Sequence, residues 1–347
     1  MSLLTSLISH QIWLQRTASG EVKDLAPFIQ EMRDEIKRQV LLFGDDGRST
    51  ARLNKLLRGL EEALTGLTGN WQTKLTEDLK ELAAYEAEWN VKTLAANVNA
   101  EFVTPTAEQV WAAAEFQPLS LSDKPVDFTK LMSGWGETEV ARLVTGVKMG
   151  FVQGQTTRQI VKNVVGAGGL ADISERNAAT VIRTALSHVS NEARNETYRQ
   201  NDDIIEKYEW VSTLDSRTST ICRARDGMTW EIGKGPMPPA HPNCRSCTAP
   251  VISSEFDFLD KGAKRAAKGA EGGTQVNADT TYYEFLKQQP AWFQDQALGP
   301  VRGKIFRNSG ISPEEFRVIS VDGFGNPLTL KQMAELDKRV ADYLKGE

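Results

Sequence analysis

"CRARDGMTWEIGKGPMPPAHPNCRSC", residues Cys222 to Cys247, holds all three cysteines of a 347-residue chain and one of its three histidines. Its second half reads His-x2-Cys-x2-Cys, with Cys222 as a distant first arm. Four soft or borderline ligands at such intervals match the needs of a tetrahedral zinc site. The candidate ligands are therefore Cys222, His241, Cys244 and Cys247, with Zn2+ as the expected ion. Such a complete set leaves no vacancy for water and points to a structural metal. Pro236, Pro238, Pro239 and Pro242 stiffen the ligand loop and lower the entropy of closing it.

On either side of the loop the pattern is that of strands. "YEWVSTLDSRT" alternates large and polar residues, and "MTWEI" and "TAPVI" are two further short strand candidates. Before them, Ala178, Val181, Ile182, Ala185, Leu186, Val189 and Ala193 mark one face of a helix, with Ser174 as its expected N-cap. A small α+β module over about 174–253 follows. Upstream, Thr156 and Gln159 have the spacing of a capping box. From Leu53 to Trp89 an apolar residue recurs at a mean period of 3.6, which predicts a long helix. Gly66 and Gly69 predict a bend or break between Gly66 and Asn70.

The expected fold class is thus mainly α with a small α+β module: an extended helical N-terminal region, the Cys/His-loop module, and a short helical C-terminal tail. Residues 1–100 form the helical region, whose apolar stripe is read as intramolecular packing or as a partner-docking arm. Residues 101–136 read as a connector, 137–253 as the module, and 281–347 as the tail. Residues 254–280, rich in Gly, Ala and Lys, read as a flexible linker or loop.

The net charge of −5 excludes a protein that coats nucleic acid with its whole surface. Clustered thiols without a disulfide framework suit a reducing compartment, and no stretch approaches a membrane span of about 20 apolar residues. The start "MSLLTSLISHQIWLQRTASG" lacks the basic opening and continuous apolar core of a signal peptide, so a cytoplasm is the expected place of synthesis. Neither a membrane partner nor a small-molecule substrate is expected. Basic residues gather around the loop at Arg217, Arg223, Arg225 and Arg245, and in the linker at Lys261, Lys264, Arg265 and Lys268. They are candidate contacts for phosphate or for a partner, with a solvated rim as the alternative. A deaminase-type centre fails because His241 is followed by Pro242 and Asn243, with no Glu two residues on. A hydrolase using Asp215, Asp226 or Glu231 beside the metal is the remaining enzymatic reading.

In its setting, "YEWVSTLDSRTSTICRARDGMTWEI…PPAHPNCRSC" resembles the signature of the phage Mu protein F-like family, the minor head or head morphogenesis proteins of tailed phages. The resemblance rests on Trp210, Asp215, Arg217, Thr218, Cys222, Asp226, Gly227, Pro238, Pro239, His241, Pro242, Asn243, Cys244 and Arg245. The helix carrying Arg183, Thr184, Asn191, Arg194 and Tyr198 is similar to the one that precedes the family motif. The likeness extends over about 140–330. The chain departs from many members in having Ser219 where they place a first-arm cysteine, and in its second loop thiol falling one residue later, at Cys247. The resemblance implies a minor head protein inside the virion, not an enzyme. It would act with the portal protein and the inner capsid or scaffold, and with phage DNA during packaging or ejection. Two other readings stand beside it: a phage-delivered enzyme or toxin-like effector, and a DNA-binding ejection protein.

Overall fold

The computed structural model describes residues 2–46, 49–98, 100–121, 124–252 and 262–346. Three helices lead: α1 (Leu3–Asp24), α2 (Ala26–Phe43) and α3 (Thr50–Asn97). Next come α4 (Ala107–Phe116), a hairpin of β1 (Leu119–Leu121) and β2 (Lys124–Val126), and α5 (Phe128–Val152), α6 (Thr157–Val165) and α7 (Leu170–Arg199). The module adds β3 (Ile205–Val211), α8 (Thr220–Arg225), β4 (Thr229–Glu231) and β5 (Cys247–Ile252). A second hairpin, β6 (Lys264–Gly269) and β7 (Gly272–Asn277), precedes the tail. The tail comprises α9 (Tyr282–Lys287), α10 (Ala291–Leu298), α11 (Pro300–Asn308), α12 (Pro313–Ser320), α13 (Leu330–Leu336) and α14 (Lys338–Gly346). The chain is mainly α with a small α+β module, as the periodicities predict.

The organising element is α7. Every residue from Thr184 to Asn195 is buried, so this helix is enclosed on all sides rather than on one stripe. α3, α4, α5 and α1 pack around it, and β5 covers its C-terminal part. The apolar face read from the sequence is buried throughout, but Ser174 is not its cap. The helix starts four residues earlier, after Gly169, and the Ser174 hydroxyl instead donates to Glu139 at 2.8 Å. The capping box of Thr156 and Gln159 forms at the start of α6.

No break interrupts α3 between Gly66 and Asn70. Leu60 and Leu64 before the glycines, and Trp71 and Leu75 after them, are all buried in one core. Burying each such side chain stabilises by about 1.5–3 kcal/mol, which outweighs the roughly 1 kcal/mol that each glycine costs. The expected connector also has structure of its own. Thr106 and Gln109 form a capping box that starts α4, and the His188 ring donates to the Ala114 carbonyl at 2.8 Å.

The three strand candidates form one antiparallel sheet of order β4-β3-β5, with Tyr208 opposite Trp230 and Val211 opposite Cys247. Residues 264–277 correct the linker reading, because they form an antiparallel hairpin. Its composition is poor for a strand, so tertiary bonds hold it. The Lys268 N–H donates to the Leu214 carbonyl at 2.8 Å, and Thr5 of α1 donates its hydroxyl to the Lys264 carbonyl, also at 2.8 Å.

Candidate metal centre

Cys222 lies in α8, a single short helix capped by the Ser219 hydroxyl. His241 and Cys244 come from the proline-rich loop, and the Cys244 N–H closes a turn onto the His241 carbonyl at 3.1 Å. Asn243 adopts a left-handed backbone with φ of 59°. An asparagine accepts that conformation more readily than most residues. Its N–H donates to Thr184 Oγ1 at 3.1 Å, which ties the loop to α7. The ligand atoms of Cys222, His241 and Cys244 all lie within 4.8 Å of one another.

The separations fit a metal. Cys222 Sγ is 3.6 Å from Cys244 Sγ and 3.3 Å from His241 Nε2. Zinc bonds of about 2.3 Å to sulfur and about 2.05 Å to nitrogen, at a tetrahedral angle, would set these atoms about 3.8 and 3.6 Å apart. The His241 tautomer is also suitable. Nδ1 lies 2.9 Å from the Pro242 carbonyl, which can only accept, so Nδ1 carries the proton and Nε2 keeps its lone pair for the metal.

The electrostatics favour one thiolate. Burial pushes the Cys222 thiol well above the usual range, and the neighbouring Cys244 sulfur adds to this. Burial acts the same way on Cys244, but the Cys222 thiol and the His241 ring outweigh it and hold Cys244 well below its ordinary value. Burial lowers the His241 value, and Cys244 more than restores it. A divalent cation bound to these atoms would take the place of the protons they hold.

Cys247 is not part of this cluster. It opens β5, where pairing with Val211 fixes its direction. Its thiol sits in a separate core with Leu7, Tyr198 and Val211. Burial raises its pKa, opposed by the Arg194 charge. Among the described residues no other His, Cys, Asp or Glu joins the three, so the closed four-ligand site is corrected to three. The carboxylates considered as catalysts are occupied elsewhere. Asp215 accepts both guanidinium nitrogens of Arg245, at 2.6 and 2.9 Å, and Asp226 pairs with Arg265. Glu231 is exposed and pairs with Lys234.

The basic residues separate in the same way. Arg245 and Arg265 are spent on those ion pairs, and Arg265 is 2% exposed, so it offers nothing to a partner. The Arg225 guanidinium lies over the Trp210 ring, 5.2 Å from its centre. Lys264 reaches Asn277 at 2.5 Å, while Lys268 borders a cavity between α1 and the hairpin. Lys261 lies outside the described residues. Arg217 and Arg223 both border a different cavity, beside His241.

Residues 141–249 match the family model described as Phage Mu protein F like protein. This segment is similar to that family. It takes in α7, the sheet and the whole ligand loop. No curated protein and no solved structure gives a significant match. Within the matched segment, the residues that carry the resemblance act largely as scaffold. Trp210 is fully buried and donates Nε1–H to Ser212 Oγ at 3.1 Å. Asp226 accepts the Ser212 N–H at 2.7 Å, and Thr218 donates to Asp215 at 3.1 Å.

Sequence reasoning missed a second polar cluster. His10 Nε2 lies 2.5 Å from Glu86, Glu86 also accepts the Ser190 hydroxyl, and the His10 ring stacks on Trp89 at 3.5 Å. His10 and Glu86 stand 76 positions apart, so no local spacing could reveal the pair. Among the described residues no helix is long and apolar enough to cross a membrane.

Proposed function

We propose that this protein is a head morphogenesis protein of a tailed phage, more specifically a minor head protein that acts at or near the portal. The observation that carries the reading is the Mu F-like match across the ligand loop and the helix that supports it. It is a structural role rather than an enzymatic one, performed in the host cytoplasm during assembly and then inside the virion. The inner capsid or scaffold, and phage DNA during packaging or ejection, are the further partners in this proposal.

Within that role the metal would fasten α8 to the proline-rich loop. Cys222, His241 and Cys244 would hold it, and zinc suits their donor set. It would supply the positive charge that keeps two buried thiolates ionised. Cys222 and Cys244 are each 1% exposed, which supports a fastening role. Peptide mass spectrometry of gradient-purified particles, quantified against the portal protein, tests the assignment. A few to tens of copies per head is the expected result. Absence from both mature particles and empty proheads would overturn it and return attention to a delivered effector.

A further inference from the structure

The module and the C-terminal tail enclose a cavity of about 450 Å3 between α8, α9, α11, α12 and the turn at Gly325–Pro327. A volume of this order suits a small ligand. Its charge is one-sided. Arg217, Arg223 and Arg302 border it together with His241, and among the described residues no Asp or Glu does.

Arg223 is the informative residue. It is 6% exposed, yet no carboxylate lies within ion-pair distance of it among the described residues. Its Nη2 reaches only the Ser216 carbonyl, at 3.5 Å, its Nε has no partner, and its guanidinium lies 5.2 Å from the centre of the Tyr282 ring. The two nearby acids are paired with other arginines, Asp215 with Arg245 and Asp226 with Arg265. A buried cation without an anion is costly. The Tyr283 hydroxyl on the same wall is also buried, with Ser320 as its polar neighbour. Arg217, with its side chain 77% exposed, stands at the mouth in a long, 3.8 Å ion pair from its Nε to Asp215. Arg302 is fixed by a 2.6 Å bond to the Leu328 carbonyl.

We infer that this cavity binds a phosphate group, with Arg223 as its buried anchor, Arg302 as a second fixed cation, and Arg217 closing from the mouth. Guanidinium forks suit the several acceptor oxygens of phosphate. Three cations match a dianion better than a single carboxylate. The phosphate can belong to a free nucleotide or to the end of a DNA strand, and both present the same group. The inference stands on the arginines and not on the head-assembly reading.

The test uses the full chain, purified with zinc added. Calorimetric titration with inorganic phosphate, deoxyadenosine monophosphate and a 5′-phosphorylated oligonucleotide should show binding that weakens as salt rises. Arg223→Gln should weaken each by about tenfold or more, the usual loss for a hydrogen bond to a charged group. Arg217→Gln, at an exposed side chain that leaves the fold intact, should weaken each by a few-fold. Tighter binding of the oligonucleotide would assign the phosphate to a DNA end, and equal binding of the mononucleotide to a free nucleotide. No binding at millimolar concentrations overturns the inference. So does binding that Arg217→Gln leaves unchanged and that disappears when the metal is chelated, since the metal alone would then hold the anion.

Discussion

Arg265 offers the sharpest test of the hairpin that replaces the expected linker. Its guanidinium donates to both Asp226 oxygens at 3.0 and 3.1 Å, to the Ser212 carbonyl at 2.6 Å and to the Thr280 carbonyl at 3.0 Å. The side chains of the pair are 2% and 0% exposed. Arg265→Met keeps the stem of the side chain but leaves Asp226 as a buried charge whose remaining donor is the Ser212 N–H. Breaking a buried pair by removing one partner costs about 3–5 kcal/mol. The two orphaned carbonyls place the expected loss toward the upper end, since each stranded group costs about 1–3 kcal/mol and these losses overlap. Urea unfolding followed by far-UV circular dichroism and tryptophan fluorescence reads it. Trp210 is a reporter inside the module, one hydrogen bond from Ser212. Adding Asp226→Asn to the same chain removes the stranded charge while keeping an acceptor for the Ser212 N–H, and should recover at least about 1 kcal/mol. A change within about 0.5 kcal/mol for Arg265→Met is what a residue in a solvated linker would give, and it would refute the clamp.

Three further outcomes are expected. Cys244→Ser should abolish binding of about one zinc per chain, whereas Cys247→Ser should retain it, read by elemental analysis after dialysis; equal loss in both would restore the four-ligand site. Gly66→Ala and Gly69→Ala should each stabilise by about 1 kcal/mol, because an added methyl meets nothing within 4 Å at either position. Destabilisation by either would mean that α3 breaks there. Burial raises the Glu192 carboxyl from 4.5 to about 7. The folded chain therefore holds this proton more tightly than the unfolded one, so its contribution is full below about pH 4.5 and is lost as pH rises through about 7. Glu192→Gln should thus gain on the native chain by up to about 3 kcal/mol between pH 5 and 8. Melting curves for both proteins at the two pH values check this, and a constant difference would contradict it.

What could be read from the chain was what repeats along it. The apolar face of α7 and the three strands around the ligand loop follow local period, and those elements form where the pattern puts them. Three features turn on contacts between distant residues. α3 passes its glycines because Leu64 and Trp71 are held on both sides by the same core. The hairpin at 264–277 has the composition of a linker, and it is held by Asp226, Leu214 and Thr5 rather than by strand propensity. The Cys-x2-Cys spacing pointed to two ligands, but a strand begins at the second cysteine, and sheet register decides where its side chain faces.

The same contrast separates the residues that carry the resemblance from those that line the cavity. Asp215, Asp226, Trp210 and Thr218 pair with arginines, exchange hydrogen bonds and fill space within the module. The cavity beside His241 is different. Its walls include Arg302 and Tyr283 from the tail, dozens of residues beyond the ligand loop. The tail is docked on the module through Tyr282, whose hydroxyl donates to the Asp215 carbonyl at 2.7 Å, and through Arg317, which donates to the Ala224 carbonyl at 3.0 Å. Ala224 lies in α8, two residues from the ligand Cys222. A metal that fixes α8 would therefore fix one wall of the cavity, and a tail that shifts would open another. α8 is thus the element shared by the proposed metal centre, through Cys222, and the proposed anion cavity, through Arg223.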